Sequence, residues 1–271
     1  GGMDNPRSII YKTIIKTALE RYRDGTSPEQ EQGILIDSMK RFQAEAKSKG
    51  GSAPYNVLIL RYFTDTPQSF IQIAARLFCT KRAVFKYLAS GVFLLAPHLF
   101  GIDGLYIIPP NSENSEHEEK ERQYTNAKRL LENYRTLGNH TKEIELPAGM
   151  EADPIQIIDS TDGFTLKCDP LSSEAIMQSQ QRTLSVLNHI DKAMSEYQTS
   201  CKEVGTAGML RRYRIIKAYF LEKEYLSLEQ IMEREQVKRR TVYRDIQNGI
   251  GQLTCRIYDP QWRPQGKRGG E

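Results

Sequence analysis

Basic, hydroxyl and amide side chains recur at short intervals between positions 238 and 247 of the chain. The set comprises Lys238, Arg239, Arg240, Thr241, Tyr243, Arg244 and Gln247. Arg and Gln side chains can each make two hydrogen bonds with the edge of a guanine or an adenine, which discriminates between bases by roughly 1–3 kcal/mol. Lys and Arg also neutralise phosphates. Together these side chains favour recognition of double-stranded DNA.

The residues between these side chains predict the element that presents them. Val242, Ile246 and Ile250 recur four positions apart, which is the spacing of one face of an α-helix. Such a stripe packs against a partner helix and leaves the basic side chains outside, with the positive end of the helix near Lys238. The pattern is typical of the second helix of a helix-turn-helix.

A related pattern occurs earlier in the chain. The segment 62–95 matches the segment 219–253, provided that one extra residue separates the Tyr-Phe pair from the following serine in the second copy. Within it, residues 81–86 (KRAVFK) align with residues 239–244 (RRTVYR). Similar spacing and chemistry over two such segments predict an internal duplication that gives two helix-turn-helix modules.

The outer face of the first copy is poorer in groups that read bases. Its candidate DNA contacts are Thr80, Lys81, Arg82 and Lys86. Ala83, Tyr87 and Ala89 stand where the second copy has Thr241, Asp245 and Gln247. We therefore expect the C-terminal module to dominate sequence reading, and the N-terminal module to grip phosphates or a different half-site.

Several of these residues also have a purely structural interpretation. A Lys/Arg cluster on a helix is most often a solvated face, and it is the repetition of the whole pattern that favours DNA contact. The Tyr-Phe pairs at 62–63 and 219–220 lie on the preceding helix at core spacing, so we expect them to be core aromatics. Gly91 and Gly249 are expected to allow two helices to approach closely.

Apolar periodicity and capping residues predict a mainly all-α fold. Helices are expected over residues 6–23, 28–47, 54–64, 69–77, 80–95, 124–137, 172–202, 210–221, 227–233 and 238–257. Ser27, Ser69 and Thr80 stand where N-caps are expected. Residues 106–108, and the alternating apolar residues between 143 and 171, are compatible with short strands or with irregular chain, and the pattern leaves both open.

The predicted organisation is two helical domains, at residues 3–108 and 172–259, each with one helix-turn-helix. Between them, region 109–171 would contain a linker and a connector helix. Residues 109–123 are rich in Pro, Asn, Ser and Glu, which predicts the linker. The tail, 260–271, contains Pro and Gly residues and is expected to be flexible.

The composition is that of a soluble globular protein. The chain has 271 residues, of which 39% are apolar and 27% charged, and its formal net charge of +4 favours nucleic acid only weakly. Its four cysteines are scattered, without a Cys-x-x-Cys pair or a histidine at zinc-ligand spacing, which favours reduced thiols and a cytoplasmic location. The longest apolar stretch, 92–100, is short for a bilayer, so no membrane partner is expected.

The sequence contains no arrangement that favours catalysis. It has no Gly-rich phosphate loop, no His-Glu-x-x-His pair and no nucleophile elbow, and its four histidines are dispersed. Residues 159–163 lack the later glutamate of a calcium-binding loop. We therefore expect neither enzymatic activity nor a metal ion or cofactor.

Two stretches carry a resemblance to a known family. They are residues 80–87 with their continuation through Leu95 to 99–105, and residues 237–246, in which the Val-Tyr-Arg-Asp-Ile string is the most specific part. Both resemble the C-terminal region of phage-type transcriptional regulators of the ArpU and RinA kind, which in turn resemble region four of bacterial sigma factors. The resemblance implies a phage or mobile-element regulator that binds promoter DNA. The residues that it assigns to this contact are Lys238, Arg239, Arg240, Thr241, Tyr243 and Arg244.

The main alternative is a helical assembly or interaction protein whose helix-turn-helix units contact protein, such as a polymerase-binding factor or a DNA-packaging adaptor. RNA polymerase is therefore left open as a partner beside promoter DNA. A homodimer through the long helices is also left open. Two modules in one chain could instead cover two half-sites without dimerising.

Overall fold

A computed structural model describes residues 6–48, 52–142, 144, 153–160, 169–224 and 226–259. Over these residues the fold is all-α, as predicted, and contains no β-strand. Its helices are α1 (Pro6–Arg23), α2 (Glu29–Ser48), α3 (Ala53–Tyr62), α4 (Phe70–Arg76), α5 (Lys81–Phe100), α6 (Glu116–Glu132), α7 (Tyr134–His140), α8 (Pro154–Asp159), α9 (Ser173–Val204), α10 (Ala207–Ile216), α11 (Leu228–Glu235) and α12 (Arg239–Tyr258). A 3-10 turn, Gly101–Gly104, follows α5, and a π-helical turn, Lys217–Leu221, extends α10.

Contacts divide the chain into two compact units. Unit 1 falls within residues 1–106, 136–150 and 160–184, and unit 2 within 107–135, 151–159 and 185–271. Each unit therefore collects separate stretches of chain, whereas the sequence suggested contiguous domains. Helix α9 contributes to both, because its residues up to 184 belong to unit 1 and its later residues to unit 2.

Unit 1 is built around α5, which contacts α1, α2, α3 and α4. Ile15, Leu58 and Leu95 are fully buried where these helices meet. A smaller cluster seats α4 against α3 and α5, and it comprises Val57, Leu60, Ile73, Ala74 and Val84. Burial of these apolar side chains fixes the first helix-turn-helix on the rest of the unit, at about 25 cal/mol for each Å² of apolar surface removed from water.

Helix α5 is also the longest apolar element of unit 1. Among the described residues, the segment 81–104 is the one that could span a bilayer on length and composition alone. From the sequence, 92–100 is the longest apolar stretch. The apolar helical segment is longer than this, because α5 and its 3-10 turn together cover residues 81–104. In the structure, 56% of its most apolar window is buried, as is common for the central helix of a helical core.

Unit 2 is built around α12, which contacts α6, α10 and α11. Val242, Ile250 and Leu253 on α12 are buried, as is Tyr197 on α9. The guanidinium of Arg122 on α6 is buried too, and it donates hydrogen bonds to the carbonyl of Ile108 and to the carboxylates of Glu119 and Asp159. The order of helices around each helix-turn-helix is alike in the two units, while their origin by duplication stays a prediction.

The predicted linker is helical over its second half. Helix α6 begins at Glu116, because Ser115 and Glu118 form a capping box: Ser115 Oγ accepts the N–H of Glu118 at 3.3 Å, and the Glu118 carboxylate accepts the N–H of Ser115 at 2.8 Å. The expected connector helix over 124–137 is divided between α6 and α7. The linker prediction was therefore wrong from residue 116 onwards.

Over the described residues, neither stretch for which strands were left open forms one. Residues 106–108 have no regular secondary structure, and Ile155 and Ile157 belong to helix α8. Helix α8 starts where the Asp153 carboxylate accepts the N–H of Ile155 at 2.9 Å. Residues 143, 145–152 and 161–168, and the predicted flexible tail 260–271, lie outside the described residues.

Candidate nucleic-acid interface

Local hydrogen bonds set the start of α11, the first helix of the second helix-turn-helix. Ser227 and Gln230 form a capping box at α11, in which Ser227 Oγ accepts the N–H of Gln230 at 3.2 Å. Gln236 then adopts a left-handed backbone conformation with φ 51°, which turns the chain towards α12. Lys238 is the N-cap of α12, so the basic cluster occupies the positive end of that helix.

The outer face of α12 carries the residues that the sequence singled out. Thr241 is half-buried in the first turn of the helix. The exposed members are Lys238, Arg239, Arg240, Tyr243, Arg244 and Gln247. The structure thus brings all seven predicted contacts of the second module together on one helix end.

The inner face of α12 is held against α10. The predicted stripe of Val242, Ile246 and Ile250 is buried. Gly249 lies where a Cβ would stand 2.3 Å from Cγ1 of Ile216, so the glycine allows the two helices to touch. Both predictions are confirmed, and the face that α12 presents outwards is fixed by this packing.

Asp245 does not belong to the outer face with which the sequence grouped it. It is 1% exposed, and its Oδ2 accepts a hydrogen bond from Arg211 Nε at 2.8 Å. Arg212 Nε lies 3.7 Å from the other carboxylate oxygen. A buried carboxylate is tolerated when cations compensate it, and these two arginines come from α10. Asp245 therefore attaches α12 to α10.

Two of the exposed side chains orient each other. The guanidinium of Arg239 lies 5.7 Å from the centre of the Tyr243 ring, and its NH2 group donates to the Tyr243 hydroxyl at 3.3 Å. This hydrogen bond raises the pKa of Arg239. Arg239 and Tyr243 are one turn apart, so the pair presents a cation and an aromatic ring side by side.

Acidic side chains on α11 border this basic face. The pKa of the exposed Glu229 is lowered by hydrogen bonds from its own backbone N–H and from Ser227, and by the charge of Arg239. Glu235 is largely covered and pairs with Arg214 at 2.7 Å. Carboxylates repel phosphates, so the α12 side of the module is electrostatically more favourable for an anion than the α11 side.

The first helix-turn-helix has the same local construction. Ser69 Oγ accepts the N–H of Gln72 at 3.3 Å, and Thr80 Oγ1 accepts the N–H of Ala83 at 3.2 Å, which confirms both predicted caps. Gly91 lies where a Cβ would stand 2.9 Å from the carbonyl oxygen of Pro54, so this glycine also permits close helix contact. The predicted contacts, all of them exposed, are Thr80, Lys81, Arg82 and Lys86.

Apolar side chains share the surface of the first module, and the sequence analysis missed them. Ile71 is 69% exposed and Phe78 is 97% exposed, while Phe85 is partly covered by Phe70 at a ring distance of 4.6 Å. Phe78 has φ 50°, a left-handed conformation that costs an L-residue roughly 1–2 kcal/mol. The signal was present in the alignment of the two modules, since Phe78 stands opposite Gln236.

A buried polar cluster lies elsewhere in unit 1. His98 Nε2 is 3.0 Å from the Glu45 carboxylate, and His140 Nδ1 is 3.3 Å from the His98 carbonyl oxygen. Burial, and then the charge of Arg41, lower the pKa of His140 to about 4. His98 is itself buried. Among the described residues, no group of three or more His, Cys, Asp or Glu side chains could hold a metal ion.

The two sets of exposed basic residues belong to different units, the first module to unit 1 and the second to unit 2. No protein-family model, curated protein or solved structure matches the chain.

Proposed function

We propose that the chain is a sequence-specific, double-stranded DNA-binding transcriptional regulator of phage or mobile-element origin, and that it uses both helix-turn-helix modules. The observation that carries the proposal is the division of α12 into a buried aliphatic face and an exposed cationic face. A helix that enters the major groove needs both, because one face must seat it while the other contacts base edges and phosphates.

Base reading is assigned to the stripe of α12 that faces solvent at helical spacing. Arg240, Arg244 and Gln247 are four and three positions apart and are exposed. Their guanidinium and carboxamide groups can each form paired hydrogen bonds with a base. Lys238 and the free N–H groups of the first turn are suited to a phosphate. Arg239 and Tyr243, which contact each other, would flank that phosphate.

Phosphate contact is assigned to the first module. Lys81, Arg82 and Lys86 are exposed at the start of α5. The hydroxyl oxygen of Thr80 accepts a backbone hydrogen bond, and its hydrogen can still be donated to a phosphate oxygen. Ala83 and Ala89 offer no hydrogen-bonding side chain, so this module supplies charge more than base discrimination.

Removal of three arginines tests the proposal. In the Arg239→Ala/Arg240→Ala/Arg244→Ala variant, affinity for duplex DNA should fall roughly 100-fold, at about 1 kcal/mol for each lost contact. The slope of log affinity against log salt should become less steep by about 1, because Arg239 is the one of the three that is assigned to a phosphate and each neutralised phosphate contributes about 0.9. Fluorescence anisotropy at several salt concentrations measures both values.

A matched variant controls for net charge. Lys16, Lys192 and Lys202 are exposed and lie outside both modules, so their joint replacement by Ala removes the same charge. We expect this variant to bind DNA nearly as well as the original chain. Equal losses in the two variants, or DNA binding that does not depend on salt, would instead favour the alternative of a protein-binding assembly factor.

A further inference from the structure

One side of α4 is apolar and exposed. Ile71 and Phe78 are 69% and 97% exposed, and Ala75 between them is exposed as well. Ile71 and Ala75 are four positions apart and lie on one face of α4. Phe78 follows the C-cap Leu77, in the turn that leads to α5. We call this set the α4 stripe. Exposure of two large apolar side chains to water is energetically unfavourable, and it is relieved when another surface covers them.

The backbone at Phe78 gives a second, independent observation. Its φ of 50° falls in the left-handed region, where Gly is the favoured residue. A phenyl ring that is 97% exposed contributes no packing to unit 1 that could offset this conformation. The left-handed backbone forms the turn between α4 and α5, but the turn does not need an aromatic side chain, so the exposed ring points to a role outside the fold.

The second module serves as an internal comparison. Glu229, Glu233 and Gln236 occupy the positions that match the α4 stripe. Gln236 has the same left-handed backbone, with φ 51°, and both glutamates are exposed. A helix-turn-helix of this construction thus does not require an apolar residue at any of the three positions, so the stripe is a property of the first module alone.

The surroundings of the stripe are basic. Arg76, next to Ala75, is exposed, and Lys81 and Arg82 follow Phe78 within four positions. A cavity of about 560 Å³ opens beside the stripe and is lined by Thr66, Pro67, Gln68, Gln72, Ala75 and Arg76. Arg76 is the one charged residue in that lining, and Ala75 belongs to both cavity and stripe.

We propose that the α4 stripe docks an acidic segment of another protein. Apolar side chains of that segment cover Ile71, Ala75 and Phe78, and its carboxylates meet Arg76 and the cations at the start of α5. A second copy placed face to face would bring like charges together. The phosphate backbone of DNA offers no apolar surface for Phe78. The charge and the apolar stripe together therefore favour an acidic protein partner.

A designed peptide pair tests this surface on the full chain. The first peptide is an amphipathic helix with Leu and Phe on one face and Glu on the other, and the second has Lys in place of every Glu. We expect the Glu peptide to bind and the Lys peptide to bind at least tenfold more weakly. Equal binding of the two peptides, or binding of neither, overturns the proposal.

Variants locate the contact. Phe78→Gly keeps the left-handed turn accessible while removing the ring, so the chain stays folded and affinity for the Glu peptide should fall about tenfold or more. Ile71→Glu should have the same effect, because it installs the residue that the second module has at this position. Gln236→Gly is the matched control and should leave peptide binding unchanged. Unchanged binding by Phe78→Gly overturns the proposal.

Two further measurements separate the remaining candidate occupants. A concentration-dependent mass in sedimentation that is lost in Phe78→Gly would show that the stripe contacts a second copy. If Phe78→Gly loses as much affinity for duplex DNA as for the peptide, the α4 stripe contacts DNA. Either result overturns the proposal. The Arg239→Ala/Arg240→Ala/Arg244→Ala variant should bind the Glu peptide normally, so failure of the DNA proposal is distinguishable.

Discussion

The buried carboxylate of Asp245 helps to fix which side chains of α12 face solvent. Its partners Arg211 and Arg212 reach it from α10, and losing one member of such a buried pair costs more than losing an exposed ion pair. The residues on either side of it, Arg244 and Ile246, point to opposite environments, the first exposed and the second buried. The orientation of Arg244 therefore depends on a buried carboxylate and on the two α10 arginines that pair with it.

Another buried group, His140, makes stability depend on pH. The folded chain lowers the pKa of His140 to about 4, mainly by burial, whereas in the unfolded chain it is about 6.5. Between these values the unfolded state binds a proton that the folded state does not, so stability is full above pH 6.5 and is lost as pH falls towards 4. The loss that His140 contributes should be on the order of 3 kcal/mol. Urea unfolding followed by circular dichroism between pH 7.5 and 4 measures it.

A His140→Gln variant isolates this contribution. The Gln amide can still donate towards the His98 carbonyl, which His140 Nδ1 approaches at 3.3 Å, but it does not titrate. Other titratable groups also change stability in acid, so the informative quantity is the difference between the two proteins. The variant should lose less stability than the original chain as pH falls, and parallel curves would contradict the assignment.

Helix starts could be predicted from the sequence where a short polar side chain serves as the cap. Ser69 and Thr80 each accept the expected backbone hydrogen bond, because capping depends on residues only three positions apart. Ser27 behaves differently, since its hydroxyl donates to the Glu31 carboxylate at 2.7 Å. The buried stripe of α12 could likewise be predicted, because its period is a local property of the helix.

Elements that depend on distant contacts could not be predicted in this way. The start of α6 could have been predicted from its capping box, Ser115 and Glu118. The burial of Arg122 could not, because it depends on the contact with Asp159 on α8. The inward position of Asp245 also follows from arginines on another helix. In contrast, the apolar α4 stripe could have been predicted from the sequence, because Ile71 aligns with Glu229 of the second module.

The contact between α10 and α12 leads to a prediction for the whole recognition element. Gly249→Ala would place a Cβ 2.3 Å from Cγ1 of the buried Ile216, so α12 must move away from α10. We expect a loss of about 1–2 kcal/mol in unfolding free energy, after an overpacking cost of about 1–3 kcal/mol is partly offset by the better helix propensity of Ala. Thermal unfolding measures the stability, and anisotropy measures DNA affinity, which should fall with it.

Gly251 provides the control on the same helix. A Cβ at this position meets nothing within 4 Å, so Gly251→Ala should raise stability by about 0.5–1 kcal/mol through helix propensity alone. DNA affinity should not change. A Gly249→Ala variant as stable as Gly251→Ala would contradict the close packing of α10 against α12.

At the scale of the whole molecule, two similar frameworks carry different surface chemistry. In unit 2 the exposed end of α12 combines cations with Gln247, and α11 beside it exposes Glu229 and Glu233. In unit 1 the start of α5 has cations but no such amide, and α4 exposes its apolar stripe. The framework is set by buried positions that the two modules share, so their outer residues are free to serve separate tasks.

This difference predicts that the two modules contribute unequally to DNA binding. In a Lys81→Ala/Arg82→Ala/Lys86→Ala variant, affinity should fall by a similar factor for a selected operator and for random duplex, because phosphate contacts carry no sequence information. The salt slope should become less steep by about 2–3. Selection of bound sequences from random duplex should return the same motif as the original chain.

Gln247→Ala should do the opposite. It removes no charge, so the salt slope should be unchanged, while discrimination at one base pair should decrease by about 1–3 kcal/mol. Selection from random duplex would then return a motif degenerate at that position. If the Lys81→Ala/Arg82→Ala/Lys86→Ala variant instead loses part of the motif, the first module reads bases as well. In that case α5 and α12 together determine the operator.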